Sequence, residues 1–356
     1  MPSSTSSASL FNGIDFGAGN PKAVDALAEV SKRYPEMVDE AERGCYPAIR
    51  DDPYLWPPAP LHDQEQEHVS NGIQDSTRDN VNMDALLKRY LIAENLNAAK
   101  ALVRLQKTIE WRAEWDIMAM RAPGAAEKFL SGKASPGAEA YFVDSGLTDK
   151  TGTPYLVGRL CVCSSENMHP WRHLMAAVFV IERMAAKLAY PNFQAQYILD
   201  IRYIDFQATY SGTGGKNGKT TIVRNKGGVD ETRDAPTEKM LRDFGGKIAP
   251  GMGVLKAAMK IIQNHYPEML RRIIFYESAA WFTLMFKVFS LWTSSRTREK
   301  FLFVGSGWLH WKPSKLLEYF DEDKLPEEFG GKGPSLRNDK YIEEAVEKYE
   351  AESRAM

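Results

Sequence analysis

One apolar segment, residues 279–292 (AAWFTLMFKVFSLW), constrains this chain more than any other part of its sequence. The chain as a whole is polar, with a mean hydropathy of −0.40, so this segment is too apolar for an ordinary water-facing surface. It is also too short to cross a bilayer, because a spanning helix needs about 20 apolar residues. Two interpretations follow: a buried core helix, or a helix that covers a cavity and sometimes faces water or lipid.

Basic residues follow the apolar segment at once, at Arg296, Arg298 and Lys300. An apolar helix followed by cations is typical of a lid that meets an anionic membrane. Trp292, Arg296 and Arg298 are therefore predicted to contact the membrane. The core-helix interpretation stays open, since the aromatic residues of the segment recur at i, i+4 spacing as in any buried helix.

Length, charge and cysteine content narrow the class of protein. A chain of 356 residues can hold one large domain or two, each with a full core. The net charge of −2 provides no overall attraction to nucleic acid. Cys161 and Cys163 would share one face of a strand, a geometry unsuited to a mutual disulfide, so the reducing cytosol is the predicted compartment. Residues 1–13 lack a charged leader before an apolar core and are expected to be a disordered tail rather than a transit peptide.

Hydrophobic periodicity predicts an α/β protein. Helices are expected over 21–44, as two helices within 79–118 with Asn97 capping the second, and over 171–190, 254–265 and 313–319. Strands are expected over 140–143, 155–163, 196–206, 272–276 and 301–304. Strands that alternate with long helices predict a mainly parallel sheet covered by helices. Residues 45–80, rich in Pro, Asp, Gln and His, are expected to be a linker draped over the surface.

Motifs for catalysis or metal binding are weak. The stretch GTGGKNGKT (212–220) resembles a phosphate loop, but the position that requires the first glycine is Thr213. A nucleotide-using enzyme remains the alternative, and it predicts binding that Lys219→Ala would abolish. His169 and His173 are four residues apart without an acidic or cysteine partner at ligand spacing, so a structural role is favoured. No catalytic residue, metal ligand or cofactor is predicted, and the chain is not expected to be an enzyme.

Four segments in order carry a resemblance to a known family. They are LLKRYLIAENLNAAKALVRLQKTIEWRAEW (86–115), QNHYPEMLRRIIFYES (263–278), SSRTREKFLFVG (294–305) and SKLLEYFDEDKLPEEFGG (314–331). These segments resemble the N-terminal helical module, the Tyr-Pro-Glu turn with its strand, the segment after the gate helix, and the closing motif of CRAL-TRIO lipid-transfer proteins. The resemblance covers about residues 80–331.

The resemblance implies a helical module beside a lipid-binding α/β domain, in which a sheet floors the pocket and a mobile gate helix closes over it. The domains it implies are a tail, helix and linker over 1–78, the helical module over 79–135, the lipid-binding domain over 136–333 with an insertion over 211–253, and a C-terminal helical extension over 334–356. The implied function is a cytoplasmic, peripheral carrier that binds one hydrophobic lipid, a phospholipid or an isoprenoid-type lipid, and exchanges it at membranes. The alternative is a lipid-sensing adaptor whose protein partner binds residues 1–80.

The resemblance also indicates which residues bind the lipid. The sheet would contribute Tyr155, Tyr197, Leu199 and Ile201, and the gate would contribute Phe282, Met285, Phe286 and Phe289.

Departures from the family concern the lipid headgroup. The lysine and glutamate that bind inositol phosphate fall on Ser290 and Ala257, and Lys287 lies one turn before Ser290 on the same helix face. The hydroxyl residues that touch the phosphate of choline lipids fall near Asp205 and Gln207, where a carboxylate would repel a phosphate. Binding of these phospholipids through the usual contacts is therefore not expected.

The insertion over 211–253 is a further departure. It contains Lys216 and Lys219, which are predicted membrane contacts because each cation near an anionic surface adds about 1 kcal/mol of attraction. A solvated loop without a membrane role is the alternative for this insertion.

Overall fold

The computed structural model describes most of the regular structure of the chain. The described residues are 10–11, 14–44, 46, 49–57, 81–130, 142–159, 170–188, 193–200, 242–244, 252–276, 298–305, 313–334, 347, 351 and 354. Within them the chain divides into two compact units. The first unit comprises Met1–Met118, Ala185–Phe193 and Ile261–Met269, and the second comprises Ala119–Met184, Gln194–Lys260 and Leu270–Met356.

The helices and strands follow one another in this order. The elements are β1 (Leu10–Phe11), β2 (Ile14–Asp15), α1 (Pro21–Gly44), α2 (Val81–Ala93), α3 (Ala98–Glu114), α4 (Ala125–Leu130), β3 (Phe142–Thr148), β4 (Pro154–Arg159), α5 (Pro170–Lys187), β5 (Ala195–Asp200), α6 (Met252–His265), β6 (Leu270–Tyr276) and β7 (Phe301–Val304). Short 3₁₀ helices occupy Ile49–Asp51, Ile117–Arg121, Pro313–Glu318 and Glu327–Phe329.

The first unit is helical, and α1 packs against α2 and α3. Helix α1 spans the predicted residues, and its buried side chains recur at the expected spacing: Ala23, Ala26, Val30, Tyr34, Val38 and Ala41. The N-terminus of α3 is also as predicted, because the side chain of Asn97 accepts a hydrogen bond from the Lys100 backbone N–H at 2.9 Å. This bond satisfies one of the N–H groups that a helix start leaves without a partner.

Residues 46–57 differ from the surface linker that the composition predicted. Ile49, Asp52, Tyr54 and Leu55 in this segment are all buried. The Tyr54 hydroxyl donates to the His265 carbonyl at 2.7 Å, and its ring lies 5.2 Å from that of Tyr266. The prolines and charges suggested solvent exposure, but the aromatic and aliphatic side chains between them pack into the core of the first unit.

The second unit is built on a five-stranded sheet with the order β3-β4-β5-β6-β7. Strands β3 and β4 form an antiparallel hairpin, whereas β4, β5, β6 and β7 are mutually parallel. The predicted α/β class with a mainly parallel sheet is therefore confirmed. Strand β5 and helix α5 are buried almost throughout, as expected for elements covered on more than one side.

Asp149 organises the turn between β3 and β4. One carboxylate oxygen accepts hydrogen bonds from the backbone N–H groups of Thr151 and Thr153 at 2.8 and 2.9 Å, and the other accepts from the Gln196 amide at 2.6 Å. Gly152 completes the turn with a φ of 78°, a conformation that glycine adopts at low cost. This network joins the hairpin to β5 at the edge where the parallel strands begin.

Candidate functional site

The register of the sheet sorts its side chains onto two faces. Residues that pair across parallel strands lie on the same face, and successive residues along a strand alternate between faces. Tyr155 pairs with Gln196, whereas Leu156 pairs with Tyr197. Tyr197 in turn pairs with Ile273, and Ile273 pairs with Phe301. Tyr155 and Tyr197 therefore lie on opposite faces of the sheet.

One face of the sheet packs against residues 313–334, and we call it the core face. Its side chains form a single buried cluster with those of the C-terminal segment: Tyr155, Val157, Ile198, Ile274, Tyr276, Leu302, Val304, Leu316, Phe320, Leu325 and Phe329. Edge-to-face ring contacts join Tyr155 to Phe320 at 4.9 Å and Tyr276 to Phe329 at 5.0 Å. This packing explains how the SKLLEYFDEDKLPEEFGG segment acts in the fold, since it closes the sheet on this side.

The opposite face is apolar and rich in aromatic rings, and we call it the aromatic face. It consists of Leu156, Tyr197, Leu199, Ile273, Phe275, Phe301 and Phe303. Phe275 stacks on Phe303 with ring centroids 5.1 Å apart and lies 5.9 Å from Phe301. Phe301 and Phe303, on the last strand, are only partly buried, whereas the residues on β4, β5 and β6 are buried. An apolar surface of this kind suits contact with a hydrocarbon.

Tyr197 places a hydroxyl among the apolar side chains of the aromatic face. Its side chain is 7% exposed, and its hydroxyl is buried without a hydrogen-bond partner in the part of the chain that the structure describes. Burial raises the pKa of Tyr197 well above the value of an exposed tyrosine. The hydroxyl therefore keeps its proton and can both donate and accept a hydrogen bond.

The structure brings together only some of the side chains that the resemblance assigned to the lipid. Tyr197 and Leu199 share the aromatic face. Tyr155 does not join them, because it lies on the core face in contact with Phe320. The reason is the two-residue period of a strand, in which a shift of one residue moves a side chain to the other face. Arg298 is described and exposed, just before β7.

The other predicted contact residues lie outside the described part of the chain. These are Ile201, Asp205, Gln207, Lys216, Lys219, Phe282, Met285, Phe286, Lys287, Phe289, Ser290, Trp292 and Arg296. Their roles remain predictions from the sequence. Ala257, where the family has a glutamate, is described and is a buried residue of α6.

Sequence reasoning missed Leu156, Ile273, Phe275, Phe301 and Phe303 as members of the aromatic face. A signal was present, because Ile273 and Phe275, like Phe301 and Phe303, are two residues apart and so share a face. The sequence does not indicate which of the two faces each pair belongs to. That assignment depends on the register between neighbouring strands, which the backbone hydrogen bonds define.

The described residues offer little for metal binding, membrane spanning or catalysis. Among the described residues no three His, Cys, Asp or Glu side chains lie close enough to hold a metal ion. The helices that the structure describes include none long and apolar enough to cross a membrane. Arg121 and Glu182 form a buried ion pair at 3.0 Å in the second unit, and a paired charge of this kind is more often structural than catalytic.

Comparisons with known proteins agree with this architecture. The family model described as CRAL/TRIO domain matches residues 241–331. Patellin-5 of Arabidopsis thaliana is 22% identical over 286 residues, which cover 75% of this chain and 36% of that protein. Protein real-time of Anopheles gambiae is 20% identical over 288 residues, which cover 78% of this chain and 36% of that protein. The chain thus spans about a third of the length of these curated relatives.

A solved structure shares the fold. The structure titled "Crystal structure of Sfh5" superposes with a TM-score of 0.55 and 16% sequence identity, covering 92% of each chain. A mainly parallel sheet closed on one side by residues 313–334 defines the α/β domain of this chain. The family model, these relatives and this structural neighbour together support the CRAL-TRIO lipid-transfer family, which is known for lipid binding and transfer.

Proposed function

We propose that this protein holds one hydrophobic lipid against the aromatic face and exchanges it at membrane surfaces, as a carrier without a catalytic step. The proposal rests on the difference between the two faces of the sheet. The core face is closed by residues 313–334, whereas the aromatic face presents apolar side chains that become less buried toward Phe301 and Phe303. A ligand made of hydrocarbon would extend this apolar surface without leaving polar groups unpaired.

The order of the strands supports the choice of face. Strands β4, β5, β6 and β7 are parallel and lie side by side in chain order, so each pair needs a crossover connection. Right-handed crossovers between strands added in one direction all pass over the same face. The core face is already occupied by residues 313–334, so crossovers of this kind would pass over the aromatic face.

The apolar segment 279–292 lies in the crossover from β6 to β7. We propose that it forms the gate that covers the lipid, with Phe282, Met285, Phe286 and Phe289 facing the ligand. Burying each of these large side chains contributes roughly 1.5–3 kcal/mol, so opening of the gate in water is costly. Insertion into a membrane offsets most of this cost, and membrane contact would therefore trigger exchange without ATP. Trp292, Arg296 and Arg298 follow the gate and are the proposed contacts to an anionic surface.

The proposed ligand is held by apolar contact rather than by a phosphate-binding pair. The buried position of Ala257 has no charge to support an inositol-phosphate site, and Ser290 replaces the second member of that pair. Asp205 would repel a phosphate. These residues favour lipids that need no such pair.

Native mass spectrometry of the purified protein, with organic extraction of whatever is bound, tests the proposal. One stoichiometric lipid per chain supports it. A folded protein that carries no lipid and takes none from vesicles of phosphatidylcholine and cholesterol contradicts it, and a partner protein captured through residues 1–80 would then identify an adaptor.

A matched pair of variants assigns the lipid to one face. Phe303→Ala removes a partly buried ring from the aromatic face, and Leu317→Ala removes a partly buried side chain packed against the core face. We expect Phe303→Ala to lower the amount of bound lipid and Leu317→Ala to leave it unchanged. An equal loss of bound lipid in the two variants would mean that the lipid is not held against the aromatic face.

A further inference from the structure

The C-terminus of α6 is held by side chains of the first unit. The helix ends at His265, and the last carbonyl groups of a helix have no partner within it. The guanidinium of Arg104 donates to the Asn264 carbonyl through Nε at 3.0 Å and to the Gln263 carbonyl through Nη2. The carbonyl of His265 accepts from two tyrosine hydroxyls at 2.7 and 3.0 Å. These bonds fix the backbone that carries the His265 side chain.

The imidazole of His265 lies against α3. It stacks face to face on the indole of Trp111, with the ring centroids 4.2 Å apart and the planes 8° apart. Its Nδ1 lies 3.2 Å from the Thr108 hydroxyl oxygen. That hydroxyl donates its one hydrogen to the Arg104 carbonyl at 3.1 Å, so toward the imidazole its oxygen can only accept. Nδ1 therefore carries a hydrogen, and the ring can take up a second proton at Nε2 without losing this bond.

The position of the imidazole favours its protonated form. The C-terminus of a helix carries a partial negative charge, which attracts a cation in the last turn. A cation over the face of an indole is also attracted by the ring. His265 is half-buried, so burial opposes the charge only in part.

The charged groups of the neighbouring elements are largely paired. Arg104 of α3 would repel an imidazolium, but its guanidinium is paired with Glu94, after the end of α2, at 2.8 Å. Arg112 of α3 is paired with Asp52 of the segment 46–57. The other charged residues of this part of α3 are exposed to solvent: Lys107, Glu110 and Glu114.

The remaining titratable groups around the helix end add no positive charge. The two hydroxyls that donate to the His265 carbonyl belong to Tyr54 and Tyr90, and burial raises the pKa of both, so they stay neutral at physiological pH. Tyr266 packs edge-on against the indole at 5.9 Å, and Glu268 in the turn after α6 is a carboxylate. The surroundings therefore do not exclude a positive charge on the imidazole.

We propose that the stacked contact of His265 with Trp111 is a pH-sensitive device, in which the protonated imidazole binds the end of α6 to α3 and loss of the proton weakens this contact. The folded protein then holds the proton more tightly than the unfolded chain does. The stability that the contact contributes is full below the ordinary histidine pKa of about 6.5 and is lost as the pH rises beyond it. All of these groups belong to the first unit, so the inference does not depend on lipid binding.

NMR titration of the histidine rings in the full-length protein tests the proposal. The ring signal that is absent from His265→Gln, or from His265→Phe if the first variant does not fold, belongs to His265. We expect this ring to be half-protonated at a pH above about 6.5. Half-protonation at or below that pH would overturn the inference. Trp111→Phe keeps an aromatic ring that attracts a cation less strongly, so it should move the titration to lower pH.

Denaturant unfolding at pH 6 and pH 8 provides a second readout. The advantage of wild type over His265→Gln, measured as the ratio of their unfolding equilibrium constants, should be about threefold to tenfold larger at pH 6 than at pH 8. Val103→Ala is the control, because it changes an exposed residue of α3 and should keep the pH dependence of wild type. The same pH dependence in wild type and His265→Gln, or a larger advantage at pH 8, would contradict the proposal.

Discussion

Asp52 receives two hydrogen bonds from the guanidinium of Arg112, at 2.5 and 2.9 Å, and both side chains are fully buried. The Tyr46 hydroxyl donates to the same carboxylate at 3.0 Å, and the Tyr54 backbone N–H donates to it at 2.9 Å. The guanidinium also lies 5.0 Å from the centre of the Tyr54 ring. The pair ties the segment 46–57 to α3, so this segment belongs to the helical core of the first unit.

We expect Asp52→Asn to destabilise the protein by about 3–5 kcal/mol, because the Arg112 guanidinium would remain buried without a counter-charge. Denaturant unfolding followed by far-UV circular dichroism measures the change. Asp39→Asn is the control, since Asp39 pairs with Arg50 at the surface, where solvent screens the charges and the effect should be much smaller. Equal effects of the two substitutions would contradict this account of the buried pair.

We expect the protein to lose stability at alkaline pH, because three tyrosines of the first unit are buried. Burial raises the pKa of Tyr34, Tyr54 and Tyr90 above the ordinary value of about 10. Their hydroxyls donate to the carbonyls of Leu55 and His265 at distances of 2.7–3.0 Å. The folded state therefore keeps protons that the unfolded chain releases, and stability is full below pH 10 and falls as the pH rises above it.

Denaturant unfolding between pH 8 and pH 11, together with absorbance titration of the tyrosines, would measure this loss. Tyr54→Phe should make the decline shallower, because one of the three protons no longer contributes. If all three tyrosines ionise near pH 10 while the fold stays intact, their burial does not cause the loss of stability at alkaline pH.

The glycine at position 331 is required by close packing of the backbone in the closing segment. A side chain there would collide with the Leu325 carbonyl oxygen, and the Gly331 N–H donates to the Pro326 carbonyl at 3.3 Å. We expect Gly331→Ala to destabilise the protein by roughly 1–3 kcal/mol, measured as a shift of the denaturation midpoint. Gly44→Ala is the control: a Cβ at Gly44 meets no atom within 4 Å, so no loss is expected. Unchanged stability of Gly331→Ala would show that the segment can rearrange.

The gate hypothesis predicts a loss of lipid exchange rather than a loss of folding. Replacing Phe286 and Phe289 together by alanine should abolish lipid transfer between donor and acceptor vesicles, because the gate would lose the side chains that cover the ligand. Val24→Ala with Val103→Ala serves as the control, since it removes two exposed apolar residues, 39% and 56% exposed, from described helices. A folded double variant at Phe286 and Phe289 that transfers lipid at the wild-type rate would rule out the assignment.

The sequence alone was sufficient to predict the features that depend on residues close together along the chain. The limits of α1, the capping of α3 by Asn97 and the span of β7 follow from spacing and local hydrogen bonding, which act over a few residues. The alternation of helices and strands was enough to predict the parallel sheet, and four short segments in order carried the resemblance to the CRAL-TRIO family, which the comparisons support. These signals come from residues close together in the sequence or from several short motifs taken together, so the sequence alone is enough to recognise them.

Only the tertiary structure decided which surfaces these elements form. Tyr155 and Tyr197 have the same chemistry and lie on adjacent strands, yet the register places them on opposite faces, and a shift of one residue would exchange their roles. Asp52 and Arg112 are 60 residues apart, and no local pattern marks a proline-rich segment as the buried partner of a helix. Register and long-range pairing are set by the packing of the whole core, and for this reason the sequence predicted the elements but not the aromatic face.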